Sequence, residues 1–190
     1  MTTSFGARLR DALDAHGPLC VGIDPHAQLL DAWGLSQDAD GVREFGLRVV
    51  DAAAGRVAAI KPQVSFFERF GSRGFAALEA VLAAGRAAGL IVIADAKRGD
   101  IGTTMQGYAD AWLAEGAALE ADAVTLSPYL GAGSLTAVLG DAVARGKGAF
   151  VLAATSNPEG ASVQTARGAD GRSVAAHIAS ETTAIGAVAP

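Results

Sequence analysis

The amino-acid sequence predicts an α/β protein with a parallel sheet of the (β/α)8-barrel type, with about five strands present, and three observations carry that prediction. Short apolar runs alternate with longer Ala-rich segments of helical period, which requires parallel strands joined by crossover helices. The runs lack strict polar alternation, as do strands covered on both faces. Each run also closes on a polar residue. A parallel sheet can be open and doubly wound or closed as a barrel, and in both the functional groups gather where strands pass into loops. Polar groups at every strand end favour a ring of strands around one shared site.

In chain order, residues 19–24 form the first predicted strand, which ends on Asp24. A helix is predicted over residues 40–54 and a second strand over 58–62, closing on Lys61 and Pro62. A helix over 75–88 leads to a third strand at 90–95, closing on Asp95 with Lys97 just beyond. The next pair is a helix over 104–116 and a strand over 123–127, closing on Ser127. A helix over 134–145 precedes a strand over 149–155 that runs into Thr155, Ser156 and Asn157. Residues 173–188 read as one helix, and nothing after Thr155 reads as a sixth strand. Gly89, Gly116 and Gly146 stand where helix C-caps are wanted. No repeat, linker or boundary interrupts the pattern, so residues 1–190 are read as one domain.

Composition narrows the function. Apolar residues make up 51% and charged residues 18%, the balance of a globular protein with a sizeable core. A net charge of −5 gives no electrostatic reason to expect nucleic acid, although local positive charge in a cleft can still bind a small anion. Cys20 is the only cysteine, which excludes an internal disulfide and a cysteine zinc site. No apolar stretch is long enough to cross a membrane, and the polar, basic N-terminus lacks the core of a signal peptide, so a cytoplasmic location is expected.

The chemistry concentrates at the third strand. Asp95 and Lys97 are two residues apart and point the same way on a strand. Asp100 follows across Gly99, near the same point or within reach of a neighbouring subunit. One such pair reads plainly as a salt bridge. Lys61, ending the preceding strand, adds a second ammonium, and two lysines with two aspartates make an expensive arrangement for stability alone. The same network suits stabilising a developing anion and delivering a proton. A divalent cation would be repelled by the ammonium groups, so no metal is expected. A Schiff-base lysine must be neutral, whereas flanking carboxylates favour the ammonium form.

The remaining candidates have plainer alternatives. Asp24, before Pro25, either forms an Asx-turn or cap, or holds sugar hydroxyls. Ser127, before Pro128 and Tyr129, either starts a turn or presents its hydroxyl to a base edge. Thr103 and Thr104 are candidate helix N-caps. The Gly131-Ala-Gly133 segment completes neither Gly-rich phosphate fingerprint. His16, His26 and His177 show no ligand spacing and read as surface or capping residues, and Trp33 and Trp112 read as packing groups.

Taken together, Val21-Gly-Ile-Asp24-Pro25-His26, Lys61-Pro62-Gln63, Asp95-Ala-Lys97-Arg98-Gly99-Asp100-Ile101-Gly102-Thr103-Thr104, Leu126-Ser127-Pro128-Tyr129 and Thr155-Ser156-Asn157-Pro158 resemble the orotidine 5′-monophosphate decarboxylases. The resemblance is closest to the bacterial subgroup with the Asp-Ala-Lys-Arg-Gly-Asp-Ile-Gly signature. It implies a (β/α)8 barrel, a homodimer with shared active sites, no cofactor, and conversion of orotidine monophosphate to uridine monophosphate and CO2. It further implies that Lys97 protonates the pyrimidine carbon and that Asp95 lies beside the departing carboxylate. Lys61 and Asp24 would hold the ribose, and Ser127 the pyrimidine amide. Asp100, Ile101 and Thr104 would reach the partner's site. Related Mg²⁺-dependent phosphosugar enzymes share Asp-x-Lys-x-x-Asp but carry an acidic metal ligand where this chain has Lys61. In the resembled family a glutamine loop and an arginine on later strands grip the 5′-phosphate. A full barrel runs to about 250 residues, so residues 1–190 are expected to be its N-terminal part, with sheet edges at residues 149–154 and near residue 19.

Overall fold

The computed structural model describes residues 3–188, and the elements follow the predicted alternation. Helix α1 (Phe5–His16) precedes β1 (Cys20–Ile23), and α2 (Ala27–Ala32) and α3 (Ala39–Ala53) lead to β2 (Ala59–Pro62). The short α4 (Ser65–Glu68) and long α5 (Gly71–Ala87) lead to β3 (Ile91–Arg98), and α6 (Gly102–Leu113) to β4 (Ala123–Leu126). A 3-10 turn (Ala132–Leu135) and α7 (Thr136–Ala144) lead to β5 (Gly148–Val151), followed by α8 (Ala161–Gln164) and α9 (Val174–Val188). All strand pairs are parallel, and the sheet order is β1-β2-β3-β4-β5.

That order decides between the two architectures. A doubly wound sheet reverses its strand order at a switch point, whereas a barrel adds each new strand beside the last. Here the succession never reverses, and the five strands are consecutive staves of a (β/α)8-type barrel. Among the described residues the sheet is open, with β1 and β5 as its edges.

Strand residues alternate between two environments. Ile23, Ile60, Val92, Ala94, Val124 and Leu126 point outward into a core shared with the helices, including Val42 and Phe45 of α3, Leu78, Val81 and Leu82 of α5, and Met105 and Trp112 of α6. Each large side chain fully buried there contributes about 1.5–3 kcal/mol. The inward residues Ala59, Ile91, Ile93 and Ala123 form a smaller cluster closed by Phe5, Leu9 and Ala12 of α1. No element was predicted at residues 5–16; the helix plugs the N-terminal mouth of the staves. Arg8 anchors it by an ion pair to Asp122 at 2.7 Å and a bond to the Gly146 carbonyl at 3.0 Å. Phe5 packs so close to β5 that any Cβ at position 148 would collide with its ring, which accounts for Gly148.

Several expected boundaries move. β3 runs past the expected end at 95 to Arg98, whereas β5 stops at Val151, short of 155. Gly89 and Gly146 follow their helices with positive φ, as expected, but α6 ends at Leu113, so Gly116 lies in the turn beyond rather than at its cap. Thr103 and Thr104 are not N-caps either. That position belongs to Ile101, with no side-chain cap bond, and both threonines lie inside α6. Trp112 is buried, as expected of a packing group, and Trp33 stacks on Phe45 at 4.6 Å. No helix among the described residues is long and apolar enough to cross a membrane.

Candidate active site

With α1 sealing one mouth, the inward polar residues collect at the other, the C-terminal ends of β2, β3 and β4. Lys61 occupies the inward position of β2, Asp95 and Lys97 those of β3, and Thr125 that of β4. Backbone bonds stitch the strands together at this level: Gln63 N–H donates to Ile23 O at 3.1 Å and Val64 N–H to Asp95 O at 3.3 Å.

Asp95 is the centre. It is 6% exposed and accepts four hydrogen bonds. Lys61 Nζ and Gln63 Nε2 donate to Oδ2 at 2.8 and 3.0 Å. Lys97 Nζ and Thr125 Oγ donate to Oδ1 at 2.6 and 2.9 Å. A carboxylate offers about four lone-pair positions, so its acceptor capacity is filled. Burial pushes the Asp95 carboxyl up, but the bonds from Lys61, Lys97 and Thr125 outweigh it and hold the group below the ordinary carboxylate range.

A carboxyl held low contributes stability that is fully present above its unfolded value, about pH 4, and is lost as pH falls through the depressed one. The stability gap between the wild-type chain and Asp95→Asn, measured by urea unfolding, should therefore be widest near neutrality. It should shrink below about pH 4. A gap unchanged down to about pH 2 would mean that the ionised carboxylate contributes nothing to the fold.

Of the predicted cluster, Lys61, Asp95 and Lys97 converge; Asp100 does not join them. Its carboxylate accepts the Ile101 N–H at 2.8 Å and has no ion pair among the described residues. The Lys97 ammonium is bonded to Asp95 Oδ1 and approaches Gln63 Oε1 at 3.4 Å. Ile101 is 62% exposed, Thr104 is exposed beside it in the first turn of α6, and Tyr129, after β4, is 86% exposed. Asp24 lies just past β1 with its carboxylate over Gly22, where an added Cβ would sit 2.5 Å from Oδ2. Among the described residues its side chain accepts no capping bond; the turn is closed by the His26 N–H on the Asp24 carbonyl at 2.7 Å. Ser127 N–H donates to Arg98 O at 2.7 Å, which draws the loops after β3 and β4 together and leaves room only for glycine at position 99.

Two members of the cluster, Gln63 and Thr125, had no role in the sequence analysis. The available signal was parity: Gln63 stands two residues after Lys61, and Thr125 is the one polar residue in an otherwise apolar strand. Neither is itself the polar residue on which a run closes: Thr125 lies inside its strand and Gln63 beyond Pro62.

The family profile described as orotidine 5′-phosphate decarboxylase / HUMPS family matches residues 17–190. The chain belongs to this family. It is 58% identical over 181 residues to the orotidine 5′-phosphate decarboxylase of Streptomyces coelicolor, which covers 93% of this chain and 65% of that protein. The enzyme of the same name from Corynebacterium efficiens is 55% identical over 187 residues, covering 98% of this chain and 67% of the relative. A crystal structure from Streptomyces avermitilis superposes with TM-score 0.94 at 56% identity, over 96% of this chain and 64% of that one. The Leishmania donovani OMP decarboxylase superposes with TM-score 0.80 at 34% identity, over 98% of this chain and 67% of that one. The chain thus spans about two thirds of the length of the relatives it matches.

Proposed function

We propose that this chain provides the lysine/aspartate machinery for decarboxylating orotidine 5′-monophosphate to uridine 5′-monophosphate. The observation that carries the reading is the Asp95 carboxylate filled by donors from both Lys61 and Lys97, in a protein so similar to decarboxylases of that name. In the reaction the bond from the pyrimidine carbon to its carboxylate breaks, CO2 leaves, and the electron pair stays on carbon. Lys97 donates its ammonium proton to that carbon and regains one from solvent. A carbanion-like transition state gains from a cation already in place, since nothing has to reorient as charge develops. Asp95 lies beside the substrate carboxylate and repels it, and the repulsion is relieved as CO2 forms. Lys61 and Asp24 hold the ribose, and Ser127 bonds the pyrimidine amide.

The active form in this reading is a homodimer. Asp100, Ile101 and Thr104 reach the partner's site, supported by the absence of an ion pair on Asp100 among the described residues and by the exposure of Ile101 and Thr104. The reaction would run in the cytoplasm, where the single thiol, Cys20, stays reduced. No metal takes part: a divalent ion at Asp95 would have to displace one of four donors and face two ammonium groups. Among the described residues no three His, Cys, Asp or Glu side chains gather to replace it.

The test follows loss of orotidine monophosphate by the purified chain with and without excess EDTA. Turnover unchanged by the chelator is the expected result. Activity lost on chelation and restored by Mg²⁺ would turn the reading toward a phosphosugar enzyme, and no turnover or binding of a uridine monophosphate analogue would end it.

A further inference from the structure

Thr125 touches both partners of the central pair without belonging to any of the charged motif. It is 7% exposed, on the inner face of β4. Its hydroxyl donates to Asp95 Oδ1 at 2.9 Å and accepts the Lys97 backbone N–H, also at 2.9 Å. The second bond coincides with a break in the ladder. Ala94 pairs with Val124 and Arg98 with Leu126, so Asp95, Ala96 and Lys97 of β3 face Thr125 alone on β4. A bulge of this kind leaves backbone groups without ladder partners. At its end Lys97 has φ of 48°, and it is the one non-glycine residue with positive φ among the described residues. Such a conformation persists only where its surroundings over-determine it.

We infer that Thr125 is a positioning residue: by bridging Asp95 Oδ1 and the Lys97 N–H, its hydroxyl holds the bulged Lys97 backbone so that the ammonium stays on Asp95 and aimed at the reacting carbon. The aim toward substrate rests on the decarboxylase reading; the bridge itself does not. A side-chain hydroxyl suits the task because it donates and accepts at once, with a hydrogen that rotates to suit. Valine fills the same volume but can do neither, and it leaves the Lys97 N–H unsatisfied.

The experiment compares the wild-type chain with Thr125→Val and Thr125→Ser in two ways. The first needs no turnover: ¹³C NMR titration of the Asp95 carboxyl together with hydrogen exchange of the Lys97 amide. Thr125→Val should move the titration upward, because one of the bonds that lower it is gone, and should speed amide exchange about tenfold. Thr125→Ser should restore both. The second measures steady-state kinetics. Thr125→Val should lower kcat about 10- to 100-fold, the scale of a misplaced catalytic group, with KM little changed, and Thr125→Ser should recover most of the loss. A Thr125→Val chain indistinguishable from wild type in the NMR readouts, or retaining kcat within about twofold, overturns the inference. If the wild-type chain shows no turnover, the decarboxylase reading fails for it, while the NMR comparison still decides whether the hydroxyl holds the pair.

Discussion

Replacing Lys97 with alanine is expected to lower kcat/KM for orotidine monophosphate by several orders of magnitude while leaving the fold intact. General acid catalysis alone accounts for about 10²–10⁴. Lys97 does more in this reading, because its cation also opposes the negative charge growing on the pyrimidine carbon. The cost to stability should be small. The Lys97 side chain is 44% exposed, and one exposed partner of an ion pair contributes little. Lys61 still holds the other oxygen of Asp95 at 2.8 Å, so the carboxylate is not abandoned. Steady-state kinetics and urea unfolding on the same preparations separate the two effects. Turnover within about tenfold of wild type would reduce Lys97 to a strand-end salt bridge.

The second large effect is a recovery rather than a loss. Lys97→Ala and Asp100→Ala chains should each be nearly inactive alone. Mixed and allowed to exchange, they should regain about a quarter of wild-type activity if the chain forms the proposed shared-site homodimer, since half of the dimers would be hybrids, each with one intact and one doubly defective site. The structural ground is that the Asp100 carboxylate accepts the Ile101 N–H and, among the described residues, makes no bond to the Lys97 ammonium, which lies on Asp95. Subunit exchange proven by tagged chains, with no recovery of activity, would put Asp100 in the site of its own chain or give it a structural role.

Much of this was readable before any coordinates. Five apolar runs and the helical segments between them correspond to β1–β5 and the main helices because burial against a common core imposes a period on each segment. The Lys61, Asp95 and Lys97 convergence was legible too, since neighbouring strands carry inward positions at matching heights. Helix α1 was not legible. Its value lies in sealing the sheet through Phe5, Leu9 and Arg8, and the partners of those residues lie far along the chain. Nor were the roles of Gln63 and Thr125, which are uncharged and gain significance only from the carboxylate beside them.

Sequence alone determined the alternation of strands and helices, the kind of charged groups at the strand ends and the family resemblance, because all three are written in local pattern and residue type. Tertiary structure alone decided which groups meet. The unreversed strand order chose barrel staves over a doubly wound sheet. The bulge in β3 turned Lys97 into a left-handed conformation and gave its N–H to Thr125, while the Asp100 carboxylate stayed out of the cluster on the Ile101 N–H. Hydrogen bonds depend on tenths of an ångström between residues about 30 positions apart, and no period in a sequence encodes distances of that kind.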